Sequence, residues 1–120
     1  MFEFNKDRPI YLQIADDIID KIISGLIQSG EKIKSIRELA KIYSVNPNTI
    51  QNTTSYLVDQ GIIESSRGIG NVVTNKSFIL SFKKKLMKSE VNDFISKMKR
   101  LAMVKSDVLQ VIEEGWKNED

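Results

Sequence analysis

The chain has 120 residues, no cysteine, no histidine and a formal net charge of +2 at pH 7. Disulfide bonds, thiolate nucleophiles, histidine general bases and the common zinc sites are therefore excluded, and we expect no cofactor. The length suits one domain with a small appendage, and because no apolar run approaches the roughly 20 residues that span a bilayer, we expect a cytoplasmic protein with no membrane partner.

The charged residues are unevenly distributed along the chain. Residues 1–75 hold 8 Lys and Arg against 9 Asp and Glu, whereas residues 76–120 hold 10 against 7. Nucleic-acid binding by the first part would therefore depend on a few well-placed basic residues and not on a strongly basic surface. The basic residues that we single out are Lys32, Lys34, Arg37, Lys41 and Arg67.

The first predicted element is an amphipathic helix that begins at Pro9 and is closed by Gly25. An isoleucine recurs every four residues from Ile10 to Ile22, and aspartates occupy the opposite side. This period is typical of a helix that packs one face into a core.

The second predicted element is a short helix that starts at Ser35. Ser35 is followed three positions later by Glu38, which is the capping-box pattern in which each side chain satisfies a backbone donor of the first turn. The helix is interrupted by Ser44-Val45-Asn46-Pro47, because proline disfavours helical angles in the residue before it.

A third helix starts again at the same proline. Asn46 is a good N-cap, Pro47 suits the first helical position, and Gly61 suits the position just after a helix that ends near Gln60. Two short helices separated by about four residues have the outline of a helix-turn-helix.

The third helix has one narrow apolar stripe, predicted to consist of Ile50, Leu57 and Val58 with Thr53 or Thr54. Amide and hydroxyl side chains on its other faces could reach base edges in a major groove. The alternative is an ordinary polar surface helix. The polar side chains concerned are Asn48, Thr49, Gln51, Asn52 and Ser55.

After Gly61 the pattern predicts a β-hairpin, with strands at 62–66 and 71–74 and the turn Arg67-Gly68-Ile69-Gly70 between them. Directly after a recognition-type helix, such a hairpin is a wing. Arg67 could contact phosphate or a minor groove, and the glycines could let backbone amides approach a phosphate. Otherwise the glycines serve turn geometry alone and Arg67 is merely solvated.

The tail contains two more helical patterns from Ser77 onward, the last capped by Ser106-Asp107. Its apolar side chains are too many for a lone helical hairpin to cover, so we predict a two-fold interface with a second copy of the chain. Folding back over the first helix, or lining a ligand pocket, is the alternative. The predicted dimerisation residues are Phe82, Leu86, Phe94, Ile95, Met98, Leu101, Val108, Ile112 and Trp116.

Together these elements predict an α+β fold, mainly α. A winged helix-turn-helix of three helices and a β-hairpin occupies residues 1–75, and a two-helix dimerisation tail occupies residues 76–120.

The ordered set of motifs resembles the GntR family of bacterial transcription regulators over roughly the first 75 residues. The short helical tail and the Asn46-Pro47-Asn48-Thr49 run are similar to the YtrA subfamily. The resemblance implies a homodimer that represses at a pseudo-palindromic operator, often beside ABC transporter genes. The matching segments are Pro9-Ile10-Tyr11 with Gln13, Ser35-x-Arg37-Glu38-Leu39-Ala40, Val45 to Ile50, Leu57, Gly61 and Arg67-Gly68-x-Gly70.

The resemblance also implies roles for single residues. Arg37 matches an arginine that grips the DNA backbone or a guanine, and Asn48 and Thr49 match the tip of the recognition helix. The chain departs from the family pattern at Lys34, where proline is common, and at Asn52-Thr53-Thr54, where Arg-Ala-Tyr is usual. Without that arginine, we expect the operator to carry fewer guanine contacts.

The predicted partners are a double-stranded DNA operator and a second copy of the chain, and any small-molecule effector is left open. A winged-helix module that binds another protein without specific DNA binding is the competing function. We predict no catalytic residue and no metal ligand. The predicted DNA-binding residues are Lys34, Ser35, Arg37, Asn46, Asn48, Thr49, Gln51, Asn52, Arg67, Gly68 and Gly70.

Overall fold

The computed structural model describes residues 2–118, and in this range the predicted fold class, α+β and mainly α, is confirmed. The chain divides into two compact units, residues 1–83 and residues 84–120. No helix in the described range is long and apolar enough to cross a membrane. The elements are α1 (Ile10–Ile23), α2 (Ile36–Tyr43), α3 (Pro47–Asp59), β1 (Ile63–Ser66), β2 (Gly70–Val73), α4 (Lys76–Arg100) and α5 (Lys105–Asn118).

Helix α1 provides the largest part of the core of the first unit. Ile14, Ile18 and Ile22 are buried, as the four-residue period predicts. Ile10 is 44% exposed, so the prediction that it belongs to the inward line is wrong. It occupies the first helical position, at the margin of the core, and Pro9 before it serves as the N-cap.

The beginning of α2 is fixed by the predicted capping box. The backbone N–H of Glu38 donates to the Ser35 hydroxyl at 3.2 Å, and the backbone N–H of Ser35 donates to the Glu38 carboxylate at 3.0 Å. At the other end, Ser44 adopts a left-handed conformation with φ +56°, and the Val45 N–H donates to the Ala40 carbonyl at 3.0 Å. This closing turn directs the chain into α3.

Helix α3 begins and ends as predicted. The Asn46 side chain accepts from the Asn48 N–H at 2.8 Å, Pro47 occupies the first turn, and Gly61 has φ +79° beyond the helix end. Its inner line consists of Ile50, Thr53 and Leu57.

Two details of α3 depend on packing. Val58 is 39% exposed, so its predicted place in the apolar stripe is wrong, because it lies about 100° around the helix from the buried Leu57. Thr53 is fully buried, and its hydroxyl lies 3.0 Å from the Tyr11 carbonyl of α1 and 3.0 Å from the Thr49 carbonyl of its own helix. The buried hydroxyl is thus satisfied and joins α3 to the first turn of α1.

Strands β1 and β2 pair antiparallel, with Ile63 opposite Val73 and Ser66 opposite Gly70. Gly70 therefore belongs to a strand and not to the turn as predicted. The segment before α2 also pairs with β2, because the Ile33 N–H donates to the Asn71 carbonyl at 2.9 Å. This third line of pairing was not predicted from the sequence.

The N-terminal segment is held by a buried glutamine of α1. The Gln13 amide nitrogen donates to the carbonyls of Asn5 at 2.9 Å and Arg8 at 2.8 Å, and its oxygen accepts from the Asn5 N–H at 3.0 Å. Phe2 then packs edge-on against Tyr43 of α2, with ring centroids 5.3 Å apart. The segment before α1 is thereby part of the first unit.

The second unit contains most of α4, and α5. Helix α4 ends in a tight turn in which Ala102 has φ +57° and the Met103 N–H donates to the Met98 carbonyl at 3.0 Å. This turn leads directly into α5 at Lys105, so the predicted cap at Ser106-Asp107 is wrong, since these residues lie inside the first helical turn.

Candidate nucleic-acid interface

The polar side of α3 faces solvent. Asn48, Gln51 and Asn52 are exposed, whereas Thr49 is half-buried. Within the described chain these three amide side chains make no hydrogen bond, so their donor and acceptor edges are free. Such an edge can pair with adenine through two hydrogen bonds, and a helix of this kind fits a major groove. Their role at DNA stays a prediction.

Ser35 and Asn46 have structural roles at the two helix N-termini. The Ser35 hydroxyl oxygen and the Asn46 amide oxygen accept backbone N–H groups of α2 and α3. The Asn46 NH₂ group is left for an outside acceptor such as a phosphate. Helix N-termini also favour anions, because the first N–H groups lack intrahelical partners.

Positive charge gathers at the beginning of α2. The pKa of Glu38 lies below its ordinary value, chiefly because the backbone N–H and the hydroxyl of Ser35 bond to the carboxylate, and to a smaller extent because Lys34 and Lys32 are near. Arg37 is exposed in the same turn. The two ion pairs found within residues 2–118, Arg8 with Asp16 and Lys21 with Asp17, leave Arg37 free to meet an outside anion.

The wing presents Arg67 and Gly68 at an exposed tip. Gly68 and Gly70 have φ of +80° and +101°, and the Ile69 N–H closes the turn on the Ser66 carbonyl at 3.1 Å. The positive φ angles of the hairpin backbone thus favour glycine at both positions whether or not DNA is bound.

Lys32 belongs to this surface, although the predicted site residues omitted it. A Cβ on Gly70 would lie 3.4 Å from the Lys32 Cε, so the lysine stem runs beside the wing strand. The pairing of residues 31–33 with β2 brings it there. In the sequence, the only signal for Lys32 was that it is one of the few basic residues among the first 75.

The predicted dimerisation residues fall into two groups. Phe82 packs against the core of the first unit and stacks on Phe78 with ring centroids 6.4 Å apart, so it already has a role within its own chain. Leu86, Met98 and Val108 are half-buried. The remaining predicted residues, Phe94, Ile95, Leu101, Ile112 and Trp116, are exposed by 41% or more.

An open apolar cleft of about 440 Å³ lies between α4 and α5 of the second unit. None of the described residues of α5 is buried, and Trp116 is 81% exposed. Met87, Val91 and Leu109 are exposed apolar side chains of the same unit that are not among the predicted dimerisation residues. An interface through this unit stays a prediction, and these side chains extend the surface available for it.

Comparisons with known proteins agree over most of the chain. The sequence profile of the family described as Bacterial regulatory proteins, gntR family, matches residues 10–73. The HTH-type transcriptional regulator YhcF of Bacillus subtilis is 39% identical over 111 residues, 92% of this chain and 92% of that protein. The HTH-type transcriptional repressor YtrA of the same organism is 34% identical over 89 residues, 72% of this chain and 68% of YtrA.

Solved structures share the fold. A GntR family transcriptional regulator from Listeria monocytogenes has a TM-score of 0.87 at 34% identity, covering 92% of this chain and 98% of that one. AraR(DBD) in complex with operator ORR3 has a TM-score of 0.55 at 30% identity, covering 62% of this chain and 89% of that one.

Proposed function

We propose that this chain, which belongs to the GntR family of bacterial regulatory proteins, is a homodimeric repressor that binds a pseudo-palindromic DNA operator. As a member of that family it is a DNA-binding transcriptional regulator and not an enzyme. The observation that carries the proposal is the solvent-facing amide side of α3, which lies in the chain between the basic residues at the start of α2 and the wing.

In this proposal α3 lies in the major groove and reads bases with Asn48, Gln51 and Asn52. Arg37 and Arg67 bind phosphates on either side of that groove. The first 75 residues hold slightly more acidic than basic side chains, so the number of phosphate contacts is small and the binding of unrelated DNA is weak. Sequence recognition then carries a large share of the affinity.

Two copies are needed because one α3 reads only a half-site. A two-fold dimer presents two such helices to half-sites separated by whole turns of the duplex, about 34 Å each. The exposed apolar side chains of α4 and α5 supply a surface for that dimer.

Repression and gene context are the finer parts of the proposal. The similarity to the repressor YtrA over 72% of this chain supports repression. The resemblance to the YtrA subfamily adds control of ABC transporter genes as the proposed target.

Selection of duplexes from a random pool with the purified chain tests the proposal. We expect an inverted repeat with adenine-rich contacts and a complex whose mass corresponds to two chains per duplex. A monomer on a single unrepeated site would contradict the homodimer, and binding without salt dependence would contradict the phosphate contacts.

A further inference from the structure

Helix α4 carries a heptad repeat of exposed apolar side chains within the second unit. Met87, Val91, Phe94 and Met98 are separated by four, three and four residues, and Leu101 continues the series. Met87, Val91, Phe94 and Leu101 are between 41% and 59% exposed, and Met98 is half-buried. An apolar stripe with this spacing is typical of a helix that packs along another helix.

Helix α5 faces the stripe across an open cleft and does not cover it. Val91, Phe94 and Met98 line this cleft, and Val91 and Phe94 are still 46% and 41% exposed. Ile95 and Lys99, which also line the cleft, lie on the edge of the stripe nearer α5. Glu90 and Lys97 flank the stripe on the other edge, lie outside the cleft lining and are exposed. They have opposite charges and stand seven residues apart. The edge away from α5 is therefore open and carries its own charge pattern.

We propose that this stripe packs against α4 of a second copy in antiparallel orientation, in the register that sets Glu90 opposite the partner's Lys97. The inference rests on the proposed homodimer and specifies how its two chains meet. Two-fold symmetry then forms the ion pair twice, once on each side of an axis near Asn92 and Asp93.

The apolar layers agree with this register. Val91 meets the partner's Phe94, and Met87 meets the partner's Met98, so each layer joins two apolar side chains. The helices are continuous through these positions, since α4 extends from Lys76 to Arg100.

Charge excludes the neighbouring registers. A slip of one heptad in one direction sets Lys97 against the partner's Lys97, and a slip in the other direction sets Glu90 against the partner's Glu90. In a parallel pair, the flanking position of Glu90 faces the partner's Ile95, so no ion pair forms. Of these four arrangements, only the proposed antiparallel register places Glu90 and Lys97 each opposite a partner residue of opposite charge.

Charge reversal tests the register by sedimentation velocity. Glu90→Lys and Lys97→Glu should each raise the dimer dissociation constant about tenfold, because two attractive pairs become repulsive. The double swap in one chain should restore the wild-type constant. An equimolar mixture of the two single variants should form mixed dimers, since both pairs are then opposite in charge. Lys85→Glu, with the same charge change as Lys97→Glu but on another side of α4, is the matched control and should leave the constant unchanged.

Cross-linking gives a second measurement, because the chain contains no cysteine. A mixture of Glu90→Cys and Lys97→Cys chains should oxidise to a mixed disulfide dimer, whereas each variant alone should not cross-link. In the proposed register the two residues at position 90 are offset by about 7 Å along the helices, and the two residues at position 97 by about 13 Å. Both offsets are too large for a disulfide.

The possible failures are distinguishable. A monomeric wild-type chain at all concentrations would overturn the homodimer and with it this inference. A wild-type dimer whose dissociation constant ignores both charge reversals, with no preference for mixed dimers, would overturn the register and leave the proposed function standing.

Discussion

Arg37 combines exposure, fixed charge and a place in the first turn of α2. The capping box holds that turn, so the backbone from which the guanidinium extends is defined before any DNA is present. A guanidinium on a fixed helix can bind a phosphate with little loss of backbone entropy. At the scale of single residues, substitutions should therefore distinguish residues that bind phosphate from residues that read bases.

Arg37→Ala should weaken binding to all duplexes alike and lower the slope of log affinity against log salt concentration by about 1. Fluorescence anisotropy over a salt series measures both quantities. Arg8→Ala is the matched control, because Arg8 is paired with Asp16 on α1 and its loss changes the charge equally. An unaltered salt slope in Arg37→Ala would contradict the docking.

Asn52→Arg should add a guanine to the selected half-site, because an arginine can bind guanine through two hydrogen bonds, with discrimination of about 1–3 kcal/mol. Asn52 is exposed, so the substitution needs no repacking. Duplex selection with both proteins measures the change. GC-rich half-sites centred on α3 already in the wild type would refute the proposed effect of Asn52.

The helices of the first unit are held at their ends by local chemistry, and these ends set the angle at which α3 is presented. The Tyr43 hydroxyl adds a longer link, since it donates to the Asp17 carboxylate at 2.6 Å and ties α2 to α1. Burial and this hydrogen bond raise the pKa of Tyr43, so the phenol keeps its proton in the folded chain. Substitutions at such helix ends and links should show how much each element contributes to the stability of the first unit.

The capping box of α2 should make the first unit sensitive to acid. The pKa of Glu38 is lowered in the folded chain, so its stabilisation is present above the ordinary value of 4.5 and is lost as the pH falls through the lowered value. Glu38→Gln should therefore lose less stability than the wild type as the pH falls below about 4.5. Urea denaturation at several pH values measures this, and parallel curves would contradict it.

Gly61→Ala should destabilise the junction between α3 and β1 by about 2 kcal/mol. Alanine is unfavourable in the left-handed backbone conformation, and its added methyl group meets Phe78. The new Cβ would lie 2.9 Å from the Phe78 Cζ. Gly25→Ala is the control. It has φ +88° and no described atom within 4 Å of the added carbon, so only the backbone cost of about 1 kcal/mol applies. Equal losses in urea would show that Phe78 yields freely.

At the scale of the whole molecule, the proposed function depends on two units with different surfaces. The first exposes the polar side of α3, and the second exposes apolar side chains of α4 and α5. The domain boundary predicted at residue 75 stays a prediction, although Ile79 and Phe82 show that the first turns of α4 pack with the first unit.

Val91→Glu should separate the two copies and reduce affinity for a two-half-site operator about 100-fold, to the value for a single half-site, because the second contact is no longer intramolecular. Val91 is 46% exposed, so the single chain should keep its fold, which circular dichroism would confirm. Lys85→Gln, which also changes the net charge by −1 on another side of α4, controls for the charge. Full operator affinity in a monomeric Val91→Glu chain would contradict the dimeric mode of binding.

The sequence by itself determined the features that act within one or two helical turns. The caps at Ser35 and Asn46, the helix restart at Pro47 and the glycine after α3 were all predicted, because capping and turn chemistry involve residues three or four positions apart. The polar face of α3 followed from the same short period.

Only the tertiary structure decided which side chains meet across the fold. Thr53 bonds to Tyr11 across 42 residues, and the pairing of residues 31–33 with β2 brings Lys32 to the wing. The exposure of Ile10 and Val58 likewise depends on which neighbours cover them. Periodicity records the face on which a residue lies, but burial depends on contacts between distant segments, and a single sequence does not state those contacts.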